Sequence, residues 1–318
     1  IWQPVKLVAT NRLRLENYRV EYDLHKNAAT AVFYIELSNL SDSVLEAELN
    51  VSMTGRDQQI THSEPLSVSP GTSVCTFSFE IEDPQLWWPY ELGEPFLYDL
   101  NILIADGKSI LDSLSDKTGI RTITMQMNPG FTEEESRIPW TFVINGKPMF
   151  LRSACWGGQP SFFYGRNSTP KYRMFLEKAK EANINNLRIF GWHPAETDEF
   201  YTICDQLGIT VWTNFSFATQ EFKTDQPYIE KVTKEIQSTV IKRRNHPSNI
   251  MWMGGEEVYF TEAHVESGNK QLMEYIGEVT HQLTNTPYAD ASPLSSREAI
   301  RMGYATKESM HANSHYYA

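Results

Sequence analysis

The sequence predicts a chain in two parts: an immunoglobulin-like β-sandwich, then a (β/α)8 TIM-type barrel truncated after about six strands. Three observations predict it. Through roughly the first 110 residues apolar positions recur with a period of two, as half-buried strands require. Beyond about residue 125 short apolar runs alternate with longer stretches of helical spacing, the rhythm of repeated βα units. No GxGxxG or GxxxxGK[ST] pattern follows any of these runs, which favours a barrel over a nucleotide-binding doubly wound sheet.

In the first part, Ala31, Phe33, Ile35 and Leu37 share one face of a strand, as do Leu45, Ala47, Leu49, Val51 and Met53. The same alternation runs through Cys75, Phe77, Phe79 and Ile81 and through Tyr98, Leu100, Ile102 and Ile104, with turn signals at Ser69-Pro70-Gly71 and Asp106-Gly107. About seven short strands at this spacing make an antiparallel sandwich. The second part offers strands at MFLRSA from 149, INNLRIF from 184, ITVWTNF from 209, NIMWMG from 249, PYADA from 287 and a last one near 311. Between them, Thr169-Pro170 supplies an N-cap and a first-turn proline. Phe200, Ile203, Cys204 and Leu207 lie at helical spacing before Gly208, and Ile229, Val232, Ile236 and Val240 form another apolar stripe.

Composition removes whole classes of function. With 28 Lys and Arg against 40 Asp and Glu, the net charge is -12, and a deficit of clustered cations excludes nucleic acid and anionic membrane as partners. No run approaches the length of a membrane span, and the opening IWQPVKLVAT has no basic start or apolar core of a signal peptide. It reads as the interior of a longer protein. Any leader would precede residue 1, so the cellular address is unread; a leader on the parent protein would place it in the periplasm or outside the cell. The cysteines, Cys75, Cys155 and Cys204, are too few and too widely spaced for a disulfide framework or a CxxC site, and are expected to be buried thiols.

In a barrel the reactive groups sit at the C-terminal ends of the strands. NIMWMGGEEVY ends in Glu256-Glu257, of which strand alternation lets only one face the axis. A crowded carboxyl there could serve as a general acid, although the same pair also suits the first turn of a solvated helix. Arg188, near the end of the second run, could hold a carboxylate ionised and oriented, or could simply form an ion pair at the barrel end. Trp156, Trp192, Trp212 and Trp252 fall in or just after strands, where an indole serves either as a sugar platform or as core. His311 and His315 have metal-ligand spacing only if helical, and no third ligand accompanies them, so no metal is expected. Four Asn-x-Ser/Thr matches, at Asn39, Asn50, Asn167 and Asn214, carry little weight, and a glycan could not fit on Asn214 inside a strand.

Several long segments, in order, resemble glycoside hydrolase family 2, the family of β-galactosidases, β-glucuronidases, β-mannosidases and exo-β-glucosaminidases. LWWPYELGEPFLYDLNI with TGIRTI is similar to the end of its immunoglobulin-like domain, and IWQPVKL to the last strand of its jelly roll. FVINGKPMFLRSACW resembles the beginning of its barrel. NNLRIFGWHPAETDEFYTICDQLGITVWTNFSF resembles its second and third strands, and RRNHPSNIMWMGGEE the segment ending in its acid/base. DEFYTICDQLGITVW and HANSHYY are most similar to β-mannosidase-like members. The resemblance implies residues 1–14 as a jelly-roll remnant, 15–124 as the sandwich, 125–140 as a connector and 141–318 as an incomplete catalytic barrel.

It further implies an exo-acting, retaining β-glycosidase that needs no cofactor and takes an oligosaccharide or β-glycoside. Glu257 matches the acid/base and Arg188 the arginine that orients the nucleophile. Glu256 stands where the family usually has an Asn toward the 2-hydroxyl; a carboxylate accepts but does not donate, so the recognised substituent is open. Trp156, Trp192, Trp212, His315 and Tyr316 are the candidate substrate-binding residues beside them. The nucleophile should be a glutamate on a seventh strand, yet residues 141–318 fall short of the about 250 residues of a complete barrel. An internal fragment without its nucleophile, inactive alone and self-associating through open strand edges, is therefore expected. Two other readings stay open: a carbohydrate-binding module with a decayed barrel, and a complete inverting hydrolase with Asp290 as second carboxylate, about 6.5–9.5 Å from Glu257.

Overall fold

The computed structural model describes residues 5, 7–107, 109–130, 132, 139–157 and 168–294, the side chains of Glu262 and Val265 excepted. These form two compact units. One comprises the described residues of Ile1–Trp88, Leu92–Thr122 and Asn245–Pro247, the other those of Pro89–Glu91, Ile123–Arg244 and Ser248–Ala318.

The first unit is a sandwich of two antiparallel sheets. Strands β1 (Leu13–Leu24), β2 (Ala28–Asn39) and β5 (Gly71–Glu82) make one sheet in the order β1-β2-β5. Strands β3 (Leu45–Thr54), β4 (Gln59–Val68), β6 (Tyr98–Ala105) and β7 (Ile110–Thr118) make the other, β4-β3-β6-β7. Period-two patterning explains the packing. Phe33, Ile35 and Leu37 from one sheet meet Leu49, Val51, Met53, Leu100, Ile102 and Ile104 from the other in a single buried core. Pro65 lies within β4, which tolerates a residue with no N–H because it is an edge strand. β1 begins at Leu13, two residues before the boundary expected at 15.

The second unit starts with a small antiparallel sheet, β10-β9-β8, of β8 (Ile123–Gln126), β9 (Thr141–Ile144) and β10 (Lys147–Met149). Asn145 and Gly146 take φ of 49° and 77°, a left-handed pair that closes the β9–β10 hairpin with Ile144 opposite Lys147. The run expected as the first barrel strand, from 149, is divided between this hairpin and the barrel. Met149 ends the hairpin, and the barrel strand begins four residues later at Ser153.

From there the chain is a partial TIM barrel. Five parallel strands stand in the order β11-β12-β13-β14-β15: β11 (Ser153–Trp156), β12 (Asn186–Ile189), β13 (Thr210–Asn214), β14 (Asn249–Glu256) and β15 (Tyr288–Ser292). Helices α1 (Thr169–Glu181), α2 (Asp198–Leu207) and α3 (Gln226–Arg243) connect them, followed by the short α4 (Glu262–His264), a π turn and α5 (Lys270–His281). β12 and β14 are buried at every position, which is why they read as continuous apolar runs rather than alternating ones. Ser168, rather than Thr169, occupies the N-cap of α1 with Pro170 in its first turn, and Gly208 closes α2 at φ 72°. Leu187, Ile189 and Val211 pack against Tyr172, Leu176, Phe200 and Ile203 of the helices. The strand expected near 311 lies outside the described residues.

Candidate active site

Because β11 to β15 are parallel, the residues that follow them collect along one edge of the sheet. Glu256 closes β14 and is held by its backbone on both sides: its N–H donates to the Phe217 carbonyl at 2.8 Å, and the Thr219 N–H donates to its carbonyl at 2.9 Å. Its carboxylate is buried and forms an ion pair with Nη2 of Arg188, from β12. The Gly191 N–H points at the same oxygen from 3.4 Å. Arg188 also donates from Nη1 to Sγ of Cys155 at 3.6 Å. Burial draws the Arg188 pKa below its usual value, with Cys155 and the Glu257 carboxylate pulling the other way. A guanidinium stays charged regardless, so the pair persists as an ion pair.

Glu257 leaves the strand. Its φ of 51° is left-handed, an uncommon state for a residue with a side chain. Strand alternation therefore ends at Glu256, and the rule that admits only one of the two carboxylates to the axis stops applying. The Glu257 N–H donates to the Ser292 carbonyl at 2.7 Å, and Thr219 Oγ1 donates to its carboxylate at 3.4 Å. Glu257 is half-buried, and its carboxyl group lies close enough to act electrostatically on Arg188. Arg188, Glu256 and Glu257 thus come together at the strand ends.

The tryptophans separate by burial. Trp192, just past β12, is 59% exposed, whereas Trp156 is 6% exposed with Tyr172 and Phe200 against its ring. The Trp156 Nε1–H donates to Glu196 at 2.7 Å. Trp212 is half-buried, with Trp140 and Phe142 beside it, and Trp252 is stacked on Phe215 in the core. Asp290 accepts from the Tyr259 hydroxyl at 3.1 Å. His311, His315 and Tyr316 lie outside the described residues. Among those residues no group of three or more His, Cys, Asp or Glu is arranged to hold a metal ion.

Several neighbours escaped the sequence reading. Glu196 is buried and accepts from Trp156, from the Tyr172 hydroxyl at 2.6 Å and from the Thr197 N–H at 3.2 Å, with His193 Nε2 3.3 Å away. Arg243 donates to the Glu196 carbonyl at 2.5 Å. Phe260, three residues past Glu257, is 52% exposed. Asn214, considered above only as a glycan acceptor, is buried at the end of β13. A polar residue closing an apolar strand was the available signal. Of the cysteines expected to be buried, Cys204 is, Cys75 is half-buried and Cys155 is exposed. Cys155 stands opposite Arg188 on β11, which borders the sheet among the described residues.

Comparison with known proteins agrees with this architecture. The family model described as glycosyl hydrolases family 2 matches residues 13–121, and the TIM barrel domain of the same family matches 141–281. β-Mannosidase B of Aspergillus clavatus is 28% identical over 270 residues, covering 81% of this chain and 31% of that protein. β-Mannosidase of Rattus norvegicus is 26% identical over 340 residues, covering 100% of this chain and 38% of its own length. The crystal structure of β-D-mannosidase from Dictyoglomus thermophilum superposes with a TM-score of 0.83 at 26% identity, covering 92% of this chain and 36% of that one. The chain spans roughly a third of the length of the curated relatives it matches.

Proposed function

The chain belongs to glycosyl hydrolase family 2, and from that premise we propose that it carries the acid/base side of a retaining, exo-acting β-glycosidase site of β-mannosidase type. Glu257 protonates the glycosidic oxygen as the bond breaks, then takes a proton from the water that releases the glycosyl-enzyme. Arg188 orients the nucleophile, a second carboxylate about 5 Å from the acid. Glu256 faces the 2-hydroxyl as an acceptor, and Trp192 offers its exposed ring to a sugar face. Trp212, His315 and Tyr316 complete the substrate-binding set, with Trp156 held in the core behind it against Tyr172 and Phe200. Two carboxylates suffice for this chemistry, and the reaction draws on no cofactor.

The observation that carries the reading is the position of Glu257. It stands where β14 ends, with its carboxylate tethered by Thr219 and electrostatically linked to Arg188. The β-mannosidase relatives favour that sugar. Self-association belongs to the same proposal, since β11 and β15 border the parallel sheet among the described residues and open strand edges invite pairing with another chain.

The test is a panel of aryl β-mannosides, β-galactosides, β-glucuronides and β-glucosaminides offered to the full-length protein, with the anomer of the first sugar released read by NMR. Preference for the mannoside with the β-anomer appearing first is expected. Release of the α-anomer, or binding without hydrolysis of any member, would contradict the proposal.

A further inference from the structure

Asn214 borders the Arg188–Glu256 pair with nothing to bond to. It is 1% exposed, and both its amide nitrogen and its amide oxygen are buried without a hydrogen-bond partner. Nε of Arg188 is buried in the same condition. Register puts the two side chains on one face, because Arg188 stands opposite Trp212 and Asn214 lies two residues further along β13. Gly191 packs against both Asn214 and Glu256: a Cβ on it would overlap the Glu256 side chain and stand 3.3 Å from Nδ2 of Asn214. Buried polar groups are nearly always matched, since an unmatched one forfeits its hydration with nothing in return. An amide left open at both ends beside a charged pair therefore points to a second arrangement in which it is used.

We propose that Asn214 is a positioning residue, the second docking point for the Glu256 carboxylate, taken up when Arg188 turns to another carboxylate. The inference rests on the reading above, in which Arg188 orients the nucleophile. One guanidinium then faces two carboxylates, and a buried Glu256 released by Arg188 would stand unpaired, a costly state. The Asn214 amide donates to it without adding charge. Gly191 places no side chain between them, where a Cβ would intrude on both. On this account Asn214 frees Arg188 for the nucleophile at the moment it is needed.

A double-mutant cycle in the full-length protein tests this, with Asn214→Leu made alone and in an Glu256→Gln background, following melting temperature, kcat and KM. Leucine has nearly the shape of asparagine and asks for no partner, so melting should hold or rise. In the Glu256 background kcat should fall by roughly tenfold or more with KM little changed, since Arg188 stays on Glu256. In the Glu256→Gln background, where a neutral amide no longer competes for Arg188, the same substitution should cost less than about threefold. Equal losses in both backgrounds, or none in either, would overturn the proposal. Should Asn214→Leu fail to fold, Asn214→Thr, which keeps one donor, should show a smaller loss confined to the Glu256 background; an equal loss in both would count against it. Normal activity of Glu257→Gln would instead bring down the reading beneath. If Glu257→Gln behaves as an acid/base variant while the cycle is additive, this inference alone fails.

Discussion

Gly191 and Glu256 touch across β13. A Cβ on Gly191 would overlap the Glu256 side chain, and would lie 3.2 Å from its backbone nitrogen. The Glu256 backbone is fixed on its other sides by Phe217 and Thr219, so its Cβ has little room to yield. Gly191→Ala is therefore expected to destabilise by about 1–3 kcal/mol, the usual cost of overpacking. It should also disturb the Arg188 pair. A lowered melting temperature together with a lowered kcat is the expected result, and an unchanged melt would show that Glu256 gives way easily.

Trp192 and Trp156 make opposite predictions. Trp192 is mostly exposed, so Trp192→Ala should leave stability within about 0.5 kcal/mol, yet raise KM roughly tenfold if its ring carries a sugar, equivalent to about 1.4 kcal/mol. Trp156→Phe keeps the ring but removes the N–H that serves buried Glu196. A loss of about 1–3 kcal/mol in stability is expected. Melting curves and KM for the two variants should move in different columns.

How much of this was legible beforehand depended on what each residue's signal records. β2, β3, β5 and β6 were readable because each buries alternate apolar residues in one core, whereas β4, an edge strand with Pro65, places polar His62 and Glu64 at two of its inward positions and left a weaker trace. Arg188, Glu256 and Glu257 were readable because they end apolar runs. That Arg188 pairs with Glu256 was not, since β13 lies between their strands and the two residues are 68 apart in sequence. Glu196 was hidden for the same reason, and Asn214, although it closes an apolar run, gave no sign of its place beside Glu256. Their surroundings come from other strands and helices, and periodicity says nothing about neighbours. The Asn145-Gly146 dipeptide is a strong hairpin signal, and it assigns Met149 to the hairpin strand β10 rather than to the barrel.

The barrel unit should lose stability at alkaline pH. Burial pushes the Tyr201 phenol well up, against the opposing pull of Arg243 and the Thr213 hydrogen bond. Burial likewise raises the Cys204 thiol, with Asp205 and Glu196 adding to the rise. Unfolded, these groups ionise near their ordinary values of about 10 and 8.5. Above that range the unfolded chain binds fewer protons than the native one, so the stabilisation is complete at lower pH and declines as pH rises. Denaturation midpoints should be level from about pH 7 to 8 and fall from about pH 9 onward. Tyr201→Phe should flatten the decline. Alkylation mapped by mass spectrometry should label exposed Cys155 in the native protein and Cys204 only after unfolding.

The account turns on Glu257 as the proton donor, and the most direct measurement is kcat/KM of Glu257→Ala in the full-length protein for glycosides of graded leaving-group ability. Substrates with poor leaving groups need the proton and should lose about 10²–10⁴-fold, the usual worth of a general acid. Those with strongly acidic leaving groups should lose far less in the bond-breaking step. Uniform loss across the series, or wild-type rates on poor leaving groups, would contradict the assignment.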